Sequence, residues 1–218
     1  MNPTHRLETS KLCCSRGDRR LFRCLDFSLE SGQLMYLRGP NGSGKTTLLR
    51  TLAGLLQPES GEVLWNGEPI QRQRDAFHNE LLYLGHLNAL KGDLNAIENL
   101  RMDGAVRGHA MDEQATWRLL GDIGLIGHED LPIKHLSQGQ KRRVALARLW
   151  CSRAALWILD EPFSALDVTA VNTLQAVIRN HLARGGMVIL TTHQEVDLTS
   201  GTVCCVTLGA ETPEVSHA

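Results

Sequence analysis

The chain has 218 residues and a mass of 24.1 kDa, room for one ordinary domain or two small interlocked lobes but not for a long array of modules. Its 23 Lys and Arg against 24 Asp and Glu leave a formal net charge of -1, which excludes a general electrostatic pull toward nucleic acid or an anionic membrane, so a polyanion has to be held locally. With 42% hydrophobic and 22% charged residues the composition is that of a folded globular protein, and no stretch reaches the roughly 18 consecutive apolar residues that cross a bilayer.

The start, MNPTHRLETSKLCC, lacks the apolar segment of a secretory signal. Residues 5 to 37 read as strand-like and end in the apolar run Leu34 to Leu37, which a glycine-rich loop follows. In EVLWNGEPI, Asn66-Gly67 lies between two extended runs and predicts a hairpin. From about 92 to 135 the chain changes character, with helices expected over Ala96 to Val106 and Asp112 to Leu120, as a small helical lobe inserted into the core. A helix is expected to start near Ser137, the short run Leu156 to Leu159 reads as a buried strand, and a long helix is expected over Val168 to Ala183. That helix stops at Arg184-Gly185-Gly186 before the strand Met187 to Leu190. Buried strands alternating with helices predict an α/β domain, with the ligand edge at the carboxyl ends of the parallel strands and an antiparallel β portion flanking them.

The six cysteines, Cys13, Cys14, Cys24, Cys151, Cys204 and Cys205, include no C-x-x-C spacing. Two adjacent pairs in strand-like segments are expected as buried thiols in a reducing compartment rather than as a disulfide framework.

The sequence Gly39-Pro40-Asn41-Gly42-Ser43-Gly44-Lys45-Thr46 fits G-x-x-x-x-G-K-[ST] between the strand LMYLR and the helix KTTLLRTLAGLL. Glycines let the backbone curl around phosphate oxygens and aim N–H groups inward, and the helix N-terminus adds its positive dipole end. Lys45 supplies a mobile cation for the β and γ phosphates, the Thr46 hydroxyl can ligate Mg²⁺, and Thr47 completes the nucleotide-contacting set. Downstream, LWILDEP is an apolar strand ending in two acids. Asp160 is expected to orient Mg²⁺ and its waters, and Glu161 to take a proton from the attacking water or hold it in line. The strand at 187 to 190 runs into Thr191-Thr192-His193, which brings an imidazole to the same edge, where it can hydrogen-bond a γ-phosphate. In Leu136-Ser137-Gln138-Gly139-Gln140, Ser137 is a candidate helix cap and Gly139 permits close approach of a phosphate. The basic run Lys141 to Arg143 reads as a solvated helix face.

Taken in order, GPNGSGKT, LSQGQ, ALWILDEP, SALD at Ser164 to Asp167 and TTH resemble the ATP-binding cassette (ABC) ATPases along nearly the whole chain. The resemblance implies a P-loop NTPase with a RecA-like core, an antiparallel β subdomain and a helical subdomain at about 86 to 135, all in a single nucleotide-binding domain spanning 1 to 218. It implies a head-to-tail homodimer that sandwiches ATP and Mg²⁺, in which Ser137 and Gly139 touch nucleotide on the opposite protomer and Asp167 helps join the two sites. Two positions depart from the pattern. Ser15-Arg16-Gly17 lies where an aromatic residue usually stacks on adenine, and the Arg16 guanidinium can stack there instead. His86 in Leu84-Gly85-His86 stands where the family generally has a Gln that touches Mg²⁺ or the attacking water.

The segment YLGHLNALKGDLNAIENL is similar to the corresponding part of the haem-exporter ATPases of cytochrome c maturation. That similarity implies a peripheral subunit on the cytoplasmic face of the inner membrane, docked on integral-membrane maturation subunits. Neither nucleic acid nor direct contact with haem is expected. Another ABC exporter, or a soluble ABC protein acting on DNA or ribosomes, remains open at this point.

Overall fold

A computed structural model describes residues 4–17, 19–108, 112–193, 198, 203–209 and 214–217. The chain divides into two compact units. The first comprises Met1–Gly85, Ala154–Pro162 and Ile178–Ala218; the second comprises His86–Arg153 and Phe163–Val177.

The first unit opens with two long antiparallel strands, β1 (Arg6–Arg16) and β2 (Arg19–Glu30), followed by β3 (Leu34–Arg38) and the helix α1 (Lys45–Leu52). β4 (Ser60–Trp65) and the short β5 (Glu68–Pro69) are joined by Asn66-Gly67, whose φ angles of 53° and 82° are those of the tight hairpin turn expected from the sequence. These strands form an antiparallel sheet in the order β2-β1-β4-β5. A short helix α2 (Arg74–Asn79) leads to β6 (Leu81–Leu84). The remaining strands are β7 (Leu156–Leu159), β8 (Met187–Thr191), β9 (Val203–Thr207) and β10 (Glu214–His217).

The second sheet has the order β10-β9-β3-β8-β7-β6, parallel throughout except for the antiparallel edge strand β10. Every residue of β7 and β8 is buried, as continuous apolar runs covered on both faces require. A core that includes Leu7, Leu29, Leu37, Leu48, Val63 and Ile189 lies in this unit.

The second unit holds α3 (Ala96–Val106), α4 (Glu113–Asp122) and α5 (Gln138–Cys151), packed over Leu100, Leu120, Leu125, Ile133, Val144 and Ala147. Residues 168 to 177 of α6 (Val168–Ala183) also belong to it. Among the described residues no helix is long and apolar enough to cross a membrane.

The expected helix spans agree with α3 and α6, and Asp112 proves to be the N-cap of α4, its carboxylate accepting from the Ala115 N–H at 3.0 Å. Two expectations need correction. The cysteines are not uniformly buried: Cys14 and Cys204 are, but Cys13 and Cys205 are half-buried and Cys24 is exposed, because adjacent strand residues point to opposite faces. The basic run is not a solvated face either. Arg142 is only 4% exposed and donates to Asn88 Oδ1 at 3.1 Å, while Arg143 pairs with Asp167, so two of the three cations hold the helical unit together.

Candidate functional site

Residues 39 to 44 leave β3 and turn into α1 through three glycines with positive φ: Gly39 at 140°, Gly42 at 78° and Gly44 at 101°. At Gly39 no side chain is possible, because a Cβ would lie 2.4 Å from the Leu208 carbonyl oxygen. Gly44 is the N-cap of α1 and has no side chain to cap it, which leaves the first N–H groups of the helix available to an anion. Lys45 folds back over the loop, its Nζ donating to the carbonyls of Gly39 at 2.7 Å and Pro40 at 3.1 Å. Ser43 is buried, and its Oγ has no hydrogen-bond partner among the described residues, so the loop holds an unused polar group as well as unused N–H donors.

The parallel sheet brings the acids to this loop. Asp160, at the carboxyl end of β7, is 4% exposed, and its N–H donates to the Leu84 carbonyl at 2.8 Å. Its Oδ2 accepts from Thr46 Oγ1 at 2.9 Å, its Oδ1 from Thr191 Oγ1 at 2.8 Å. The same Thr191 oxygen accepts from the Glu161 N–H at 2.8 Å. Glu161 has a left-handed backbone, with φ 48°, and its Oε1 lies 3.3 Å from Nε2 of the exposed His193. Tyr83 on β6 stands nearby. Burial pushes its phenol pKa up and the charge of Asp160 adds to that, while a hydrogen bond with Arg50 opposes both.

A cleft of about 330 Å³ opens over this arrangement. Asn41, Gly42, Gly44, Lys45, Thr46 and Thr47 line it from the loop and helix, Asp160 and Glu161 from the sheet edge, and Arg16 and Leu21 from the antiparallel strands. Arg16 is therefore at the border of the cleft, where stacking on a base was expected of it. The Thr46 hydroxyl and Asp160 carboxylate, 2.9 Å apart, are hard oxygen donors of the kind Mg²⁺ takes alongside water and phosphate. The glycine loop, its free N–H groups and Lys45 suit a polyphosphate.

Thr191 escaped the sequence reading. TTH drew attention to its imidazole, yet the first threonine ends a wholly buried strand, and a buried hydroxyl needs a partner. That requirement was the signal available.

The other sequence-predicted residues lie in the second unit. His86 is exposed at its first position. Ser137 caps α5 in a reciprocal capping box: its Oγ accepts from the Gln140 N–H at 3.2 Å, and Gln140 Oε1 accepts from the Ser137 N–H at 2.8 Å. Gly139 lies close to the Ala165 carbonyl, which a Cβ would approach to 3.1 Å. Asp167 caps α6, its Oδ1 accepting from the Ala170 N–H at 2.8 Å, and its other oxygen pairs with Arg143.

The family model for ABC transporters matches residues 22–164. The cytochrome c biogenesis ATP-binding export protein CcmA of Dechloromonas aromatica is 54% identical over 203 residues, covering 93% of this chain and all of that protein. A solved ATP-binding subunit of an ABC transporter superposes with a TM-score of 0.83 at 24% identity, covering 97% of this chain and 89% of that one. A dimeric ATP-binding cassette bound to ADP and Pi in a post-hydrolysis state superposes with a TM-score of 0.79 at 19% identity, covering 97% of both chains. With phosphate loop, acids and imidazole gathered at one edge of this sheet, the chain belongs to the ABC transporter family, among its cytochrome c biogenesis ATP-binding export proteins.

Proposed function

We propose that this chain is the ATP-hydrolysing subunit of a membrane complex for haem export in cytochrome c biogenesis. It works as a homodimer docked peripherally on integral-membrane maturation subunits at the cytoplasmic face of the inner membrane. The observation that carries the chemistry is the chain of contacts from Thr46 through Asp160 and Thr191 to Glu161 and His193. The biological assignment is supported by the relatives at about half identity over most of the chain.

In this reading the backbone from Gly39 to Gly44, with Thr47, holds the triphosphate, and Lys45 exchanges its bonds to the loop carbonyls for phosphate oxygens. Thr46 and Asp160 hold Mg²⁺, which when bound neutralises charge on the β and γ phosphates. Glu161 positions the attacking water and takes its proton. The left-handed backbone fixes where that carboxylate stands, and the Thr191 bond to its N–H keeps the backbone there. His193, beside Glu161, donates to the γ-phosphate and steadies the carboxylate. His86, at the start of the helical subdomain at about 86 to 135, takes the place of the Gln that in this family serves the metal or the attacking water. Ser137 and Gly139 complete the opposite protomer's site with the N-terminus of α5, a source of N–H donors. ATP thus joins two copies, and loss of the γ-phosphate releases them.

Two experiments test this. In the purified complex, Lys45→Ala is expected to weaken nucleotide binding, and Glu161→Gln to keep binding while turnover falls by ~10²-fold or more and an ATP-bound dimer accumulates. Undiminished turnover in Glu161→Gln removes that residue from the proton-accepting role. Deletion of the gene is expected to abolish c-type cytochromes selectively; normal c-type cytochromes would overturn the haem-specific assignment and leave an ABC exporter of another substrate.

A further inference from the structure

We propose that Cys13 and Cys24 form a reversible disulfide across β1 and β2, making this strand pair a site of thiol–disulfide exchange with small disulfides of the glutathione class. The register brings the two residues together. Leu12 pairs with Leu25 and Cys14 with Phe22, so a single residue of β1, Cys13, faces both Arg23 and Cys24 in a β-bulge. Across this bulge the Cys24 N–H donates to Cys13 Sγ at 3.2 Å. An amide nitrogen is about 1.5 Å from its own Cα, so the Cys13 sulfur already lies beside the residue it must join. Rotation about χ1 of the exposed Cys24 carries its sulfur toward that of Cys13, and adjustment of the backbone at the bulge sets the two Cβ atoms the roughly 4 Å apart that a disulfide needs.

The surroundings separate these two thiols from the neighbouring Cys14. Cys24 is exposed and Cys13 half-buried, so a soluble disulfide can reach them, whereas Cys14 is buried with its sulfur 3.6 Å from the Thr51 hydroxyl. Cys24 also has a left-handed backbone, φ 50°, which glycine adopts more readily than any residue with a side chain. The Ser60 hydroxyl, the Cys24 N–H and the Cys24 thiol hold the Cys13 thiol below its usual pKa, against burial and the charge of Glu59. Burial pushes the Cys14 thiol the other way. Cys13 is therefore the attacking sulfur and Cys24 the resolving one.

The exchange balances as follows. The Cys13 thiolate attacks one sulfur of glutathione disulfide; that S–S bond breaks, a mixed disulfide forms on Cys13, and one glutathione thiolate leaves. Cys24, giving up its proton, then attacks the Cys13 sulfur and displaces the second glutathione. Two protein thiols are oxidised, one glutathione disulfide is reduced to two thiols, and the two cysteine protons end on the departing sulfurs. The new bond ties β1 to β2 three residues along the strands from Arg16 and from Leu21, the two side chains through which these strands border the nucleotide cleft.

The reduced chain is treated under native conditions with glutathione disulfide, remaining thiols are alkylated, and the digest is mapped by mass spectrometry. A Cys13–Cys24 cross-linked peptide, lighter by two hydrogens and lost on treatment with dithiothreitol, is the expected product. In Cys24→Gly, which suits the left-handed backbone and so preserves the fold, glutathione is expected to stay on Cys13; in Cys13→Ser no cross-link forms. Alkylation of both residues, a Cys13–Cys14 link, or glutathione on both without a cross-link would overturn the proposal.

Discussion

Thr191 is fully buried and serves both acids of the site through one oxygen, donating to Asp160 and accepting from the Glu161 N–H. Thr191→Val keeps the volume and removes both bonds, which leaves a Glu161 N–H without its partner at a residue already in a left-handed conformation. Such a loss costs about 1–3 kcal/mol, and the resulting drift of the carboxylate by an ångström lowers turnover on the order of a hundredfold. Nucleotide affinity is expected to change far less, and Thr191→Ser is expected to restore most activity. Parallel measurement of ATP turnover and nucleotide binding in the purified complex checks the split. At this scale the loop residues, Asp160, Glu161 and His193 were legible because each belongs to a short contiguous pattern. Thr191 was not, because its partners lie 31 and 30 positions away in sequence, and only strand pairing makes them neighbours.

Helix boundaries carry the same lesson for whole elements. The start of α3 is set by an Asn95-Glu98 capping box, in which Asn95 Oδ1 accepts from the Glu98 N–H and Glu98 Oε2 from the Asn95 N–H, both at 2.8 Å. One turn on, the buried Asn99 clamps the preceding loop: its Oδ1 accepts from the Lys91 N–H at 2.7 Å and its amide donates to the carbonyls of Lys91 and Asn95. Asn99→Ala leaves the Lys91 N–H unmatched and the carbonyls of Lys91 and Asn95 with only the N–H groups of Leu94 and Asn99, and is expected to destabilise the chain by about 2–3 kcal/mol, against about 1 kcal/mol for the loss of the cap in Asn95→Ala. Urea denaturation of both variants gives the comparison, and a larger loss for Asn95→Ala would contradict this account of the helix start. The extent of α3 was readable from periodicity and caps. The clamp was not, since a polar residue inside a helix looks the same in sequence whether it faces water or a neighbouring loop. Arg142 went astray for that reason too, reading as solvated in a basic run although the fold buries it.

Stability of the molecule as a whole is expected to depend on pH through His181. This residue of α6 is 7% exposed and stacks on Trp157 with ring centroids 3.7 Å apart and planes 4° from parallel. On its flank is Gly186, where a Cβ would come within 2.2 Å of the ring, so only glycine leaves the imidazole room. Burial drives its pKa down from 6.5 to about 4, with a contribution from the charge of Arg184; hydrogen bonds with the backbone of Ala155 and Met187 offset part of it. The folded state keeps the ring neutral while the unfolded chain takes up a proton. The stabilisation is therefore complete above about pH 6.5 and is lost as pH falls toward about 4, on the order of 3 kcal/mol in all. Denaturation midpoints measured between pH 7 and 4.5 are expected to fall more steeply for the parent chain than for His181→Phe. Equal slopes would show that other groups carry the acid sensitivity.

The sequence alone determined the phosphate loop, the two acids, the imidazole, the alternation of strands with helices and the spans of α3 and α6, because each is written in residues close along the chain. Tertiary structure decided the strand order β10-β9-β3-β8-β7-β6, which joins Thr46 to Asp160 across 114 positions and sets Thr191 between the acids. It also decided the bulge that places Cys13 against Cys24 and the burial of Arg142 and His181. Local periodicity says which face of an element is apolar, whereas which element covers it, and in what register, depends on long-range packing that no window of sequence contains.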